Sequence, residues 1–223
     1  DKPDLEYRFV DHARYVDGFI EALGLERLTL VIHDWGSALG FHYARRHETN
    51  VKGIAFMEAV LRPLTWYEWP HTVRPLFQQF RTPEVGWDLI VNKHVFVEQV
   101  LPGAIQRTLT TEEMDRYREP FRDPPSRKPV WRWPNEIPVD GEPADVVDIV
   151  RAYADWLGTS AVPKLLLYAE PGAILRAAMV EWCRTHVEAL TCVDIGPGLH
   201  FVQEDRPHEI GRALREWYGG LPR

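Results

Sequence analysis

A chain of 223 residues with 45% apolar and 26% charged side chains has the composition of a folded domain with a sizeable core, which excludes a disordered chain, a collagen-like one and a coiled coil. Thirty-three acids against 26 bases give a net charge of −7, so a uniform basic face for nucleic acid is excluded as well. The two cysteines, Cys183 and Cys192, form neither a disulfide framework nor a zinc site by count or spacing; they are expected as free thiols in a reducing cytoplasm, and no apolar run is long enough to span a membrane.

Residues 7–23 read as a helix, with Phe9, Val16, Phe19, Ile20 and Leu23 on one face and Gly24 as its stop. Residues 28–32 (Leu-Thr-Leu-Val-Ile) form a short apolar run that suits a buried parallel strand. A helix follows over 36–46, then a second strand over 51–56. Residues 63–161 break the alternation with short helical pieces punctuated by proline. Thr110-Thr111-Glu112-Glu113 is a capping-box pattern, and Pro143 sits near the start of a helix that runs to Leu157. Strands are expected again over 163–168 and 189–195, with amphipathic helices over 174–186 and 204–217. Strands alternating with helices mean a parallel α/β sheet. The expected organisation is a main domain of residues 1–62 and 162–223, interrupted by a helical cap over 63–161.

The strongest local signal is Leu30-Val31-Ile32-His33-Asp34-Trp35-Gly36-Ser37-Ala38. A buried strand runs into a tight turn with small residues and then a helix, the setting of a nucleophile elbow. The residue thrust out at the strand's end is Asp34, beside a helix N-terminus that favours an anion. The plain alternative is an N-cap aspartate. A second signal is Asp194-Ile195-Gly196-Pro197-Gly198-Leu199-His200-Phe201, where a loop after the last strand presents one of nine histidines. The order nucleophile, acid, histidine is that of triads on such sheets. The acid is open between Glu58, after the second strand, and Glu170, after the third.

The run from His33 to Phe41 closely resembles the nucleophile region of haloalkane dehalogenases. The resemblance continues through Val51-Lys52-Gly53-Ile54-Ala55-Phe56-Met57-Glu58, Tyr117-Arg118-Glu119-Pro120-Phe121 and Trp133-Pro134-Asn135-Glu136-Ile137-Pro138. It ends with Gly196 to Asp205, and so covers the chain. It implies an α/β-hydrolase fold: a mostly parallel sheet flanked by helices, with an inserted helical cap. It also implies a triad of Asp34, Glu58 and His200, with Trp35 as halide donor and Glu170 as a neighbour of the pocket. Asp34 would displace halide from a small haloalkane, and His200 would activate the water that hydrolyses the alkyl ester, giving alcohol, halide and a proton. The residues matching the family's apolar lining are Trp69, Phe77, Phe96, Val100, Ala104, Trp133, Pro134 and Ile137, with Ile174, Leu199 and Phe201 from the main domain. No metal and no organic cofactor is implied; chloride or bromide is a product ligand. The partners implied are substrate and water, with no nucleic acid and no membrane.

Family members carry further strands and a His-Gly-Asn-Pro loop ahead of the point where this sequence opens, Asp1-Lys2-Pro3-Asp4. The expectation is that this segment exists as another chain or a swapped partner, and that a truncated fold is inactive. Three other functions compete. An epoxide hydrolase needs two cap tyrosines, for which Tyr67, Tyr117 and Tyr153 are available but out of context. A coelenterazine-type luciferase shares the scaffold and would emit light with coelenterazine. A ligand-capture protein of this family would lack a working histidine, whereas His200 stands.

Overall fold

The computed structural model describes residues 5–221; the opening Asp1 to Asp4 lies outside the described residues. In chain order the elements are α1 (Phe9–Ala22), β1 (Leu28–Asp34), α2 (Trp35–Arg46) and β2 (Val51–Ala59). The helical stretch follows, with α3 (Arg74–Phe80), α4 (Val85–Trp87), α5 (Leu101–Gly103), α6 (Thr111–Arg118), α7 (Lys128–Glu136) and α8 (Ala144–Leu157). The chain then returns through β3 (Lys164–Pro171), α9 (Ala177–His186), β4 (Leu190–Gly198), α10 (Val202–Asp205) and α11 (Pro207–Gly219). Among the described residues no helix is long and apolar enough to cross a membrane.

The four strands form one parallel sheet in the order β1-β2-β3-β4. β2 is almost wholly buried and β3 is buried up to its exposed end at Glu170 and Pro171, as near-continuous apolar runs require when both faces are covered. Successive side chains alternate between faces. Ala55, Met57, Leu165 and Leu167 meet Ile210 and Ala213 of α11. On β2 the intervening Phe56 meets Phe41 of α2 edge-on at 5.4 Å, and Phe41 lies 5.5 Å from Tyr153. Each fully buried leucine of β3 contributes roughly 1.5–3 kcal/mol by leaving water. Gly40 lets α2 approach β1 closely, since a Cβ there would fall 2.9 Å from Cγ2 of Ile32.

The chain divides into two compact units. Among the described residues one holds 5–14, Pro63–Gly103 and Thr108–Asp148; the other holds Tyr15–Arg62, Ala104–Arg107 and 149–221. These bounds differ from the division at 62 and 161 expected from sequence, because the first residues join the helical unit and the boundary falls inside α8. The expected capping box of α6 is formed in both directions: Glu113 N donates to Thr110 Oγ1 at 3.2 Å, and Thr110 N donates to Glu113 Oε2 at 2.7 Å.

Two expected elements are corrected. The single helix over 204–217 is two, α10 and α11, because Pro207 cannot continue a helix and pushes Arg206 to φ −133°, ψ 42°. The helix expected from Ile174 starts only at Ala177, because Arg176 is extended (φ −71°, ψ 165°) and forms its N-cap.

Candidate active site

Asp34 closes β1 and Trp35 opens α2, so strand and helix join with no intervening loop. Asp34 adopts φ 48°, ψ −127°, a backbone conformation that costs a non-glycine residue on the order of 1–3 kcal/mol. This overturns the N-cap alternative, because the Asp34 side chain makes no cap hydrogen bond. The elbow is braced by Ser37, wholly buried, whose Oγ donates to the Asp34 carbonyl at 2.5 Å and accepts from the Val60 amide at 2.9 Å.

Glu58 was expected just beyond its strand but lies within β2, at a bulge. His33 pairs with Met57 and Asp34 with Ala59, so Glu58 is the extra residue, at φ 42°. The bulge re-aims a side chain that strict alternation would place elsewhere. Glu58 is 2% exposed. Its carboxylate accepts from the amides of Ala173 (3.2 Å to either oxygen), Ile174 (2.7 Å) and Leu175 (3.2 Å). Gly172 makes this cradle possible: it sits at φ 64°, and a Cβ there would lie 2.8 Å from the Leu175 carbonyl and 3.1 Å from Glu58 Oε1.

His200 follows β4. Its Nδ1 lies 3.1 Å from Glu58 Oε2, and its Nε2 lies 3.7 Å from Asp34 Oδ1. The first is a hydrogen bond in which the imidazole donates; the second is an ion-pair distance. Burial alone would lower the proton affinity of the ring. The attraction of Asp34, and then of Glu58, outweighs burial and raises the pKa to about 10. Burial likewise works to raise the Asp34 carboxyl, but His200, followed by His33 and the Trp35 amide, holds it below the ordinary value. The Asp34 side chain is 35% exposed, so a reactant can still reach it.

The raised His200 pKa fixes the sign of a pH effect. The folded ring binds a proton more tightly than the unfolded one, so its stabilisation is full below about 6.5 and is lost as pH rises to about 10. Thermal melts should show Tm falling over that window by on the order of 5 °C. Asp34→Asn removes the largest raising partner and should flatten the fall; an equally steep fall in that variant would contradict the assignment.

The other expected residues separate by unit. In the helical unit Trp69, Phe77 and Phe96 form an aromatic cluster, with Trp69 and Phe77 4.8 Å apart and Phe77 and Phe96 6.5 Å apart, and Val100 packs on the same cluster. Trp133 stacks on His12 at 4.4 Å, while the carbonyls of Pro134 and Ile137 accept from Arg81. In the sheet unit the Ala104 carbonyl accepts from the amides of His200 and Phe201 at 3.1 and 3.2 Å. Ile174 gives its amide to Glu58, Leu199 is half-buried, and Phe201 meets the His200 ring edge-on at 4.8 Å. Trp35 is buried at the head of α2. Glu170 is exposed, so the structure brings Glu58 to His200 instead. Tyr67 is 88% exposed, and Tyr153 donates its hydroxyl to the Val60 carbonyl at 2.6 Å; neither is poised as a proton donor to a substrate. Among the described residues no group of three or more His, Cys, Asp or Glu side chains is placed to hold a metal ion.

Sequence reasoning gave no role to Ser37, to the amide cradle after Gly172 or to His33. The one local signal was Pro171-Gly172, which marks a sharp turn directly after a strand.

The family described as alpha/beta hydrolase fold matches residues 2–207. A haloalkane dehalogenase of Sphingobium indicum is 50% identical over 210 residues, 93% of this chain and 70% of that protein. One of Bradyrhizobium diazoefficiens is 42% identical over 231 residues, 99% of this chain and 74% of that protein. The crystal structure of the haloalkane dehalogenase DbeA from Bradyrhizobium elkani superposes with a TM-score of 0.95 at 43% identity, covering 98% of this chain and 76% of that one. The comparisons give no support to a second chain or swapped partner.

Proposed function

Because this chain belongs to the haloalkane dehalogenases, hydrolases of the α/β-hydrolase fold that act on carbon–halogen bonds, we propose that Asp34 is its nucleophile, His200 its base and Glu58 the acid that orients the base. The observation that carries this reading is the chain of contacts from Asp34 through His200 to Glu58.

In the first step an Asp34 oxygen attacks the carbon that bears the halogen. A carbon–oxygen bond forms, the carbon–halogen bond breaks, and the halide leaves with the bonding pair. An ionised carboxylate needs no base for this step. The Trp35 indole N–H, a donor with no acceptor capacity, would bind the departing halide.

The alkyl ester is neutral. Its formation removes the Asp34 charge that raises the His200 pKa most, so the imidazolium sheds its proton and becomes a base. Neutral His200 then takes a proton from water, and the hydroxide attacks the ester carbonyl. The Trp35 amide would stabilise the oxyanion. The acyl–oxygen bond breaks, the alcohol leaves with a proton, and one water oxygen remains in the Asp34 carboxylate. The balance is haloalkane plus water to alcohol, halide and a proton. Glu58, gripped by three backbone amides, keeps the proton on Nδ1 and Nε2 open toward the water.

Ala104, Ile174, Leu199 and Phe201 would supply apolar lining from the sheet unit. The reaction needs no cofactor on this reading, because nucleophile and base are both supplied by the chain. The proposal also places the enzyme in the cytoplasm, consistent with free thiols at Cys183 and Cys192.

Bromide release from 1,2-dibromoethane tests the reading. The parent chain should release bromide steadily above the buffer blank. Glu58→Gln puts an NH2 group against amide donors and should slow turnover by about 100- to 10,000-fold. Glu170→Gln, at an exposed position, should stay near the parent rate. The reverse order would move the acid to β3.

A further inference from the structure

His33 lies on β1 directly before the nucleophile, and no step above uses it. Its ring lies beside the loop that carries the base. Its Nε2 lies 2.8 Å from the carbonyl oxygen of His200. A carbonyl can only accept, so Nε2 carries the proton and donates. The two imidazoles lie 4.7 Å apart between centroids, and Phe201 lies 6.0 Å from His33.

The same His200 residue is held in two other ways. Its amide donates to the Ala104 carbonyl at 3.1 Å, and its Nδ1 donates to Glu58 at 3.1 Å. The peptide of the base is therefore gripped on its N–H side by Ala104 and on its C=O side by His33, while the ring is gripped by Glu58. Ala104 is itself fixed, because the amides of Gln106 and Arg107, two and three residues on, donate to the Asp205 carboxylate at 3.0–3.1 Å. Of the three grips, only the one from His33 joins the loop of the base to the strand of the nucleophile. Burial, reinforced by the positive His200 ring, lowers the proton affinity of His33, so a second cation does not form beside the imidazolium.

Building on the two-step reading above, we infer that His33 is a positioning residue, whose Nε2–H bond to the His200 carbonyl sets the base at the distance from Asp34 needed to hydrolyse the alkyl ester. Ester formation uses Asp34, Trp35 and the substrate but not the base, so loss of the bond should spare the first step and slow the second. A misplacement of the base by about 1 Å is enough for a 100-fold loss.

The test is rapid-quench measurement of bromide from 1-bromobutane, with intact mass of the quenched protein. His33→Phe keeps the bulk of the ring and removes the donor; His33→Asn keeps an amide that falls short of the carbonyl; His33→Gln carries an N–H to about the original reach. In the Phe and Asn variants the first-turnover bromide burst should stay within about 3-fold of the parent while kcat falls about 10- to 100-fold. KM should fall with kcat, leaving kcat/KM nearly unchanged, and the butyl ester should accumulate on the protein. His33→Gln should recover most of kcat. Equal loss from burst and steady rate in both variants, or no loss in either, overturns the inference, as does a Gln variant as slow as the Phe variant. A parent enzyme that forms no ester at all overturns the two-step reading itself, which is a separate and recognisable failure.

Discussion

Asp34→Ala stops bromide release from 1,2-dibromoethane, lowering turnover by about 10,000-fold or more while the chain still folds. The magnitude follows from the role. Asp34 forms the bond to carbon, and among the described residues the carboxylate nearest in role cannot replace it: Glu58 is 2% exposed and committed to the amides of Ala173, Ile174 and Leu175. Water at the same position would lack both the negative charge and the fixed line of attack that the elbow gives. Unchanged far-ultraviolet circular dichroism, with halide release at the buffer rate, is the expected pair of results. Residual turnover within about 10-fold of the parent would remove Asp34 as nucleophile.

His200→Phe separates the two steps. Phenylalanine approximates the volume of the ring, so Asp34 keeps a neighbour of similar shape and still attacks. The ester then has no base to hydrolyse it. Incubation with a bromoalkane should give close to one alkyl increment per chain in the intact mass, one bromide released per chain, and turnover slowed by about 100- to 10,000-fold. Digestion should place the increment on the peptide that contains Asp34. A folded variant with no increment would mean that halide does not leave by alkylation of the protein.

The legible parts of this molecule are those set by neighbours in sequence. The apolar run 28–32 and the small residues after Asp34 announce a strand, a turn and a helix, and the structure has β1 and α2 joined directly there. The pattern Thr110 to Glu113 announces its own hydrogen bonds. The illegible parts depend on residues far apart in the chain. Glu58 reads as a strand-end acid no better than Glu170 does; what distinguishes it is a bulge against β1 and a cradle 115 to 117 residues further on. The late start of α9 reflects the extended backbone at Arg176, which the apolar periodicity of 174–186 did not mark. The break between α10 and α11 was legible in Pro207, but the apolar periodicity on either side masked it. His33 could not be found from sequence, because its partner is a backbone carbonyl 167 residues away.

The two carboxylates that flank His200 are held on opposite terms. Glu58 repays its left-handed backbone with four contacts to amide hydrogens, and its loss would leave those donors buried and unmatched. Asp34 has a comparable backbone strain, φ 48° and ψ −127°, and in place of such a cradle the Trp35 amide. Glycine there would relax the elbow by on the order of 1 kcal/mol. Above about pH 10, where His200 is neutral and its attraction to Asp34 no longer stabilises the fold, a directed-evolution campaign scored only on heat survival or soluble yield would therefore drift toward Asp34→Gly, enriching well-behaved proteins that have lost their chemistry, while leaving Glu58 untouched. Selection for robustness in this scaffold has to be coupled to halide release at every round.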